Sequence, residues 1–158
     1  FDMDVYVYDP YVDETAIKKS GAHYVDDFKS ILTQMDAVTL HCPKTKETTD
    51  MFSTQEFEAM KSTSILINCA RGGIVNEKAL YDALTKNKIR SAGLDVYDDE
   101  PSTSSNPLFS LDNILLSPHI AGVTQEATIR MSKQAVQNVL DVFDNKVDPD
   151  VIINKNVL

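Results

Sequence analysis

At 158 residues, with 42% hydrophobic and 25% charged side chains, the chain is long enough to bury the core of one domain and has ordinary globular composition. A net charge of −9 and a pI near 4.7 argue against nucleic-acid or anionic-membrane partners, which need basic surfaces, and no apolar run approaches membrane-spanning length. Cys42 and Cys69 lack CxxC spacing, and His41-Cys42 has no complementary pair, so a reduced cytoplasmic protein with no metal site is expected.

Val5-Tyr6-Val7-Tyr8 is a β-branched and aromatic run stopped by Asp9-Pro10, a short strand. Val12 to Lys19 is expected to be a helix ended by Gly21, and Ala22 to Val25 a weak strand. Asp26 and Asp27 open a helix over Phe28–Gln34, with Phe28, Ile31, Leu32 and Met35 on one face. Ala37–Leu40 is a strand ended by Cys42-Pro43. Ser53-Thr54-Gln55-Glu56 is a capping box whose helix turns Phe57 and Met60 inward. Ser64–Asn68 is a buried strand, followed by a turn at Arg71-Gly72-Gly73. Asn76 caps a helix with Leu80, Ala83 and Leu84 at helical spacing. Ser91–Val96 and Asn113–Leu116 are strands, and Ser102–Asn106 is a polar loop between them. Thr124 caps a long final helix whose apolar residues Ile129, Met131, Ala135, Val136, Val139, Leu140 and Phe143 are expected to form a core face. Both cysteines are expected to be small buried residues at strand ends.

Alternation of this kind predicts an α/β fold, a doubly wound parallel sheet of Rossmann type. Ligands of such sheets bind beyond the carboxyl ends of the strands. Asp9, His41-Cys42-Pro43, Arg71, Asp95 and His119 all follow predicted strands, which gathers polar groups at one sheet edge.

Each of these residues has a chemistry that suits such an edge. Arg71 offers an always-charged planar fork beside two glycines, suited to a carboxylate, although a surface ion pair would explain it alone. His119 is the residue type that titrates near neutrality and can hand a proton to a carbonyl. A carboxylate beside such an imidazole favours its charged form. Asp98, Asp99 and Glu100 are the acids near enough in sequence to compete for that part. Asp95 could equally terminate a strand, and Asp9 could be an ordinary turn former before Pro10. His41 reads equally as a cofactor-lining or a structural residue, and His23 as a plain strand residue.

The runs HCPKTKETTDMF, MKSTSILINCARGGIVNEKAL, AGLDVYDDEP and SPHIAGVTQEA, in this order, make the whole chain resemble the NAD-binding part of the D-2-hydroxyacid dehydrogenases, the family of phosphoglycerate dehydrogenase and hydroxypyruvate or glyoxylate reductase. The resemblance implies an oxidoreductase that moves a hydride between NAD(H) and a small 2-keto or 2-hydroxy acid. It assigns Arg71 to the substrate carboxylate, His119 to acid–base transfer and Glu100, the acid before Pro101, to partnering His119. It implies an NAD site formed by Asp9, Pro10, His41, Cys42, Pro43, Thr48, Cys69, Ala70, Arg71, Asp95, His119, Ala121 and Gly122, with Asp9 on the adenosine ribose and Asp95 at the nicotinamide end. It further implies a homodimer of the parent enzyme.

One departure from the family pattern stands out. The chain contains no Gly-x-Gly-x-x-Gly, and the family's central strand, glycine turn and following helix are expected before Phe1. Residues 1–158 are therefore expected to be a partial NAD-binding domain, with a crossover helix and tail from about 123. The Val5–Tyr8 and Ala37–Leu40 strands would flank the place of the missing one, and the chain alone would turn over little or nothing. A nucleotide-sensing corepressor on the same fold, or an inactive NAD-binding or dimerising remnant, are the alternative functions.

Overall fold

Strands and helices alternate along the computed structural model, which describes residues 2–155. The ends of the expected domain, Phe1 and residues 156–158, lie outside the described residues. The chain divides into two units, one up to His119 and one from Ile120.

In the first unit, β1 (Tyr6–Val7) pairs in parallel with β2 (His23–Tyr24). A separate sheet holds β3 (Ala37–Leu40), β4 (Ile65–Asn68), β5 (Ser91–Leu94) and β6 (Ile114–Leu116), all parallel and in that spatial order. No ladder joins β1 to β3, so the sheet is in two pieces at the place where the sequence predicts a gap. Aromatic side chains bridge the pieces instead. Tyr8, just beyond β1, lies 5.5 Å from Phe28, and Phe28 lies 5.5 Å from Phe52, which packs on Phe57. Such ring pairs add about 0.5–1.5 kcal/mol each beyond the area they bury.

Local chemistry sets the helix boundaries. Asp13 accepts from the Thr15 N–H and caps α1 (Glu14–Lys19), so that helix begins later than Val12. Glu56 accepts from the Ser53 N–H at 3.0 Å, completing the capping box of α2 (Thr54–Ala59), and Phe57 and Met60 are buried as expected. Asn76 accepts from Ala79 N–H at the start of α3 (Glu77–Thr85), whose Leu80 and Leu84 enter the core. The core lies between these helices and the four-stranded sheet, with Leu66, Ile74, Leu80, Ile89 and Leu108 fully enclosed.

Several sequence expectations need correction. Phe28–Gln34 is a 3-10 helix, not an α-helix; a single Asp27 cap starts it and Met35 is already extended. β5 ends at Leu94 rather than Val96, and beyond it the Tyr97 N–H goes to the Glu100 carboxylate. Asn106 accepts from Leu108 N–H and starts a further 3-10 helix, Pro107–Ser110. Cys42 is half-buried and packs against the core, whereas Cys69 is exposed rather than buried.

The second unit consists of α4 (Gln125–Phe143), capped by Thr124 as expected, and a short 3-10 turn at Pro149–Val151. α4 has no buried residue, and Met131, Val136 and Phe143 are largely exposed. Its apolar stripe is therefore not buried as the core face expected from sequence. Among the described residues no helix is long and apolar enough to cross a membrane.

Candidate active site

β4 delivers the cationic turn. Asn68, the last residue of β4, is 1% exposed and folds back on the turn: its Oδ1 accepts from the Ala70 N–H and its Nδ2 donates to the Arg71 carbonyl, each at 3.0 Å. Asn68 was not among the residues expected from sequence, although an Asn at a buried strand end is the available signal for such a brace. Gly72 follows with its Cα against the Tyr97 carbonyl, where a Cβ would stand 1.7 Å from that oxygen. Gly73 has φ +76°, the left-handed region that favours glycine. The turn thus leaves Arg71 exposed, with Nη1 donating to the Ala70 carbonyl at 2.6 Å.

β5 and β6 deliver the acid and the histidine. His119 Nδ1 lies 2.7 Å from Glu100 Oε2, while Glu100 Oε1 accepts from the Tyr97 N–H at 2.9 Å. The hydrogen bond with His119 is the main reason that the Glu100 carboxyl is held below the usual glutamate range. The Tyr97 N–H acts in the same direction, burial opposes it, and the positive charge of Arg71 adds a smaller lowering. His119 has φ +56°, a left-handed conformation that is sparse for non-glycine residues and gathers at functional sites. Tyr97 supports the arrangement from behind: its hydroxyl donates to the Ser117 carbonyl at 2.9 Å, two residues before His119. Tyr97, Glu100, Phe109, Leu116 and His119 line an open, mostly apolar cavity of about 590 Å³.

Most of the other expected site residues of the first unit follow the carboxyl ends of strands. Asp95, the first residue beyond β5, is 2% exposed and accepts from the Ser117 hydroxyl. Its neighbour across the ladder is the end of β4, through the Asp95 N–H to the Asn68 carbonyl. Asp9, half-buried after β1, accepts from Tyr11 N–H at 2.8 Å in a tight turn that spans Pro10. Burial pushes the Cys42 thiol up, and the Asp9 charge adds to this. His41 is exposed and shares a hydrogen bond with Thr39 at 3.0 Å. Thr48 donates to the Pro43 carbonyl and accepts from Thr45 N–H, closing the loop after β3. Cys69 and Ala70 lie between Asn68 and Arg71 in the cationic turn. Ala121 and Gly122 belong to the second unit, where the Gly122 carbonyl accepts from Thr124 N–H.

Among the described residues, no cluster of three or more His, Cys, Asp or Glu side chains could hold a metal ion.

Residues 1–121 match the model of the NAD-binding domain of D-isomer specific 2-hydroxyacid dehydrogenases. The chain belongs to this family. A D-3-phosphoglycerate dehydrogenase of Archaeoglobus fulgidus is 40% identical over 141 residues, covering 89% of this chain and 27% of the relative. A glyoxylate reductase of Thermococcus litoralis is 38% identical over 158 residues, covering 100% of this chain and 47% of the relative. Among solved structures, a D-lactate dehydrogenase of Aquifex aeolicus complexed with NAD and lactic acid superposes with a TM-score of 0.80 at 31% identity, over 91% of this chain and 47% of that one. A D-isomer specific 2-hydroxyacid dehydrogenase of Lactobacillus delbrueckii in NAD-complexed form gives a TM-score of 0.78 at 27% identity, over 92% of this chain and 47% of that one. The chain thus spans less than half the length of these relatives. The sheet is that of their NAD-binding Rossmann domain.

Proposed function

We propose that the protein carrying this chain interconverts a 2-keto acid and its D-2-hydroxy acid with NAD as cofactor. The observation that carries the reading is the 2.7 Å contact of His119 with Glu100, on a segment whose backbone at Tyr97 lies against the turn that carries Arg71. An imidazole, its carboxylate partner and a fixed cation at one strand edge are what reduction of a keto acid requires of a protein.

Glu100 engages Nδ1, which fixes the ring and leaves Nε2 as the atom that addresses substrate. In reduction, Nε2 delivers a proton to the oxygen that develops negative charge as the carbonyl carbon becomes tetrahedral. In oxidation it withdraws the hydroxyl proton. Arg71 binds the substrate carboxylate and so sets the carbonyl within reach of Nε2. Neither task asks Glu100 to change its own protonation.

The residues fit parts of the cofactor. Asp9 offers a carboxylate acceptor for ribose hydroxyls just beyond β1, and no Arg or Lys stands among residues 10–13 to pair a 2′-phosphate. Asp95, Cys69-Ala70 and His41-Cys42-Pro43, with Thr48 bracing their loop, supply polar and backbone groups at the strand edge for the nicotinamide end. The nicotinamide, when bound, supplies or accepts the hydride.

Incubating the full-length protein with NAD and paired D- and L-2-hydroxy acids tests the proposal. NADH formation from a D-isomer, with the L-isomer inert, is the expected outcome; no turnover with any D-2-hydroxy acid, in either direction, overturns it.

A further inference from the structure

We propose that Glu77 is a positioning residue of the proton-transfer pair, holding the segment that presents Glu100 to His119. The proposal rests on the dehydrogenase reading above.

The Glu100–His119 pair is not fixed by burial, since the two side chains are 35% and 47% exposed. Their geometry depends on the backbone that carries them. Glu100 sits in the segment 97–106, which leaves β5 and has no ladder partner. Both ends of that segment are held by one carboxylate. Glu77, the first residue of α3, accepts from the Asp98 N–H through Oε1 at 2.7 Å and from the Asn106 side-chain amide through Oε2 at 2.8 Å. The same Asn106 amide reaches the Ser102 hydroxyl at 3.2 Å, and its Oδ1 accepts from the N–H of the fully buried Leu108. Glu77 therefore ties the segment to α3 at one end and to the core at the other.

The tie also reaches the Arg71 turn. The backbone of Gly72 lies against the same segment, where a Gly72 Cβ would stand 1.7 Å from the Tyr97 carbonyl oxygen and 2.9 Å from the Asp98 nitrogen. One short network thus spans the cationic turn, the acid-bearing segment and the start of α3. Glu77 is its centre because both its oxygens are used by donors and no neutral isostere can serve both. A glutamine there has a single acceptor oxygen, and its NH₂ would oppose either the Asp98 N–H or the Asn106 amide.

Displacements of about 1 Å in positioning groups can cost on the order of a hundredfold in rate. In the full-length enzyme, Glu77→Gln is therefore expected to lower kcat for keto-acid reduction at least about tenfold while KM changes far less. The deciding measurement is the kinetic cycle with Glu100→Gln. If Glu77 acts through Glu100, the double variant has the kcat of Glu100→Gln alone; a merely structural loss would multiply the two effects. Asn106→Asp, which keeps the Leu108 cap and turns the amide donor into a second carboxylate facing Glu77, should behave like Glu77→Gln if that variant fails to fold. An active wild type with unchanged kcat in the folded variants, or with multiplicative losses, overturns the role of Glu77. An inactive wild type overturns the dehydrogenase reading itself, and the role of Glu77 in it falls too.

Discussion

A Cβ on Gly72 would stand 1.7 Å from the carbonyl oxygen of Tyr97, so the turn carrying Arg71 and the segment carrying Glu100 touch backbone to backbone. That contact sets the separation of the Arg71 turn from the segment that carries Glu100. Gly72→Ala must push the two segments apart. Forced overpacking costs about 1–3 kcal/mol, and backbone, unlike a flexible side chain, cannot swing away. Urea denaturation should show a lower midpoint, and activity should fall in the protein that remains folded. An unchanged midpoint would mean that the contact is not maintained.

Glu100→Gln keeps the shape of the side chain and removes its charge. The His119 ring then loses the charged acceptor at 2.7 Å that orients it, so kcat for keto-acid reduction should fall about tenfold or more while KM changes far less. Arg71→Ala should differ in kind, weakening substrate binding and orientation together. Steady-state kinetics with varied keto acid separates the two. An unchanged kcat in Glu100→Gln would remove Glu100 from its assigned part.

Glu56 gives a pH prediction for stability. Burial pushes its carboxyl up, but the Lys29 ammonium at 2.7 Å and the Ser53 N–H outweigh this, and the carboxyl is held below the usual glutamate range. A carboxyl lowered on folding contributes stability that is present above its unfolded value of about 4.3 and is lost as pH falls through the folded value. Glu56→Gln should therefore cost on the order of 1 kcal/mol at pH 7. The difference from wild type should vanish in strong acid. Equal urea midpoints at neutral pH would contradict the pairing.

Cofactor choice follows from Asp9. Its carboxylate would accept from ribose hydroxyls and repel a 2′-phosphate, and Pro10-Tyr11-Val12-Asp13 offers no cation in compensation. The full-length protein should show higher kcat/KM with NADH than with NADPH, and Asp9→Ala should narrow the ratio. Equal or better use of NADPH by the wild type would refute the part given to Asp9.

The strand edge was legible in the sequence because its signals are local. Short β-branched runs end at polar residues, and Asp13, Ser53, Asn76 and Thr124 are residue types that cap helices, though the first was passed over. The split sheet followed from the absent Gly-x-Gly-x-x-Gly. What the sequence hid depends on partners far along the chain. Glu77 reads as a favourable acid in the first turn of a helix, and nothing local reveals that Asp98 and Asn106 converge on it. Periodicity shows that α4 has an apolar stripe but not whether anything covers it. Phe28–Gln34 carries helical spacing of apolar residues, which cannot distinguish a short 3-10 helix from an α-helix.

The most direct measurement is keto-acid reduction by the full-length His119→Ala protein, followed as NADH oxidation with glyoxylate and hydroxypyruvate. Removing the proton donor should lower kcat by roughly 10²–10⁴ while NADH still binds. A His119→Ala protein that keeps the wild-type kcat would contradict the assignment of proton transfer to His119, and with it the reading of the Arg71–Glu100–His119 edge as an active site.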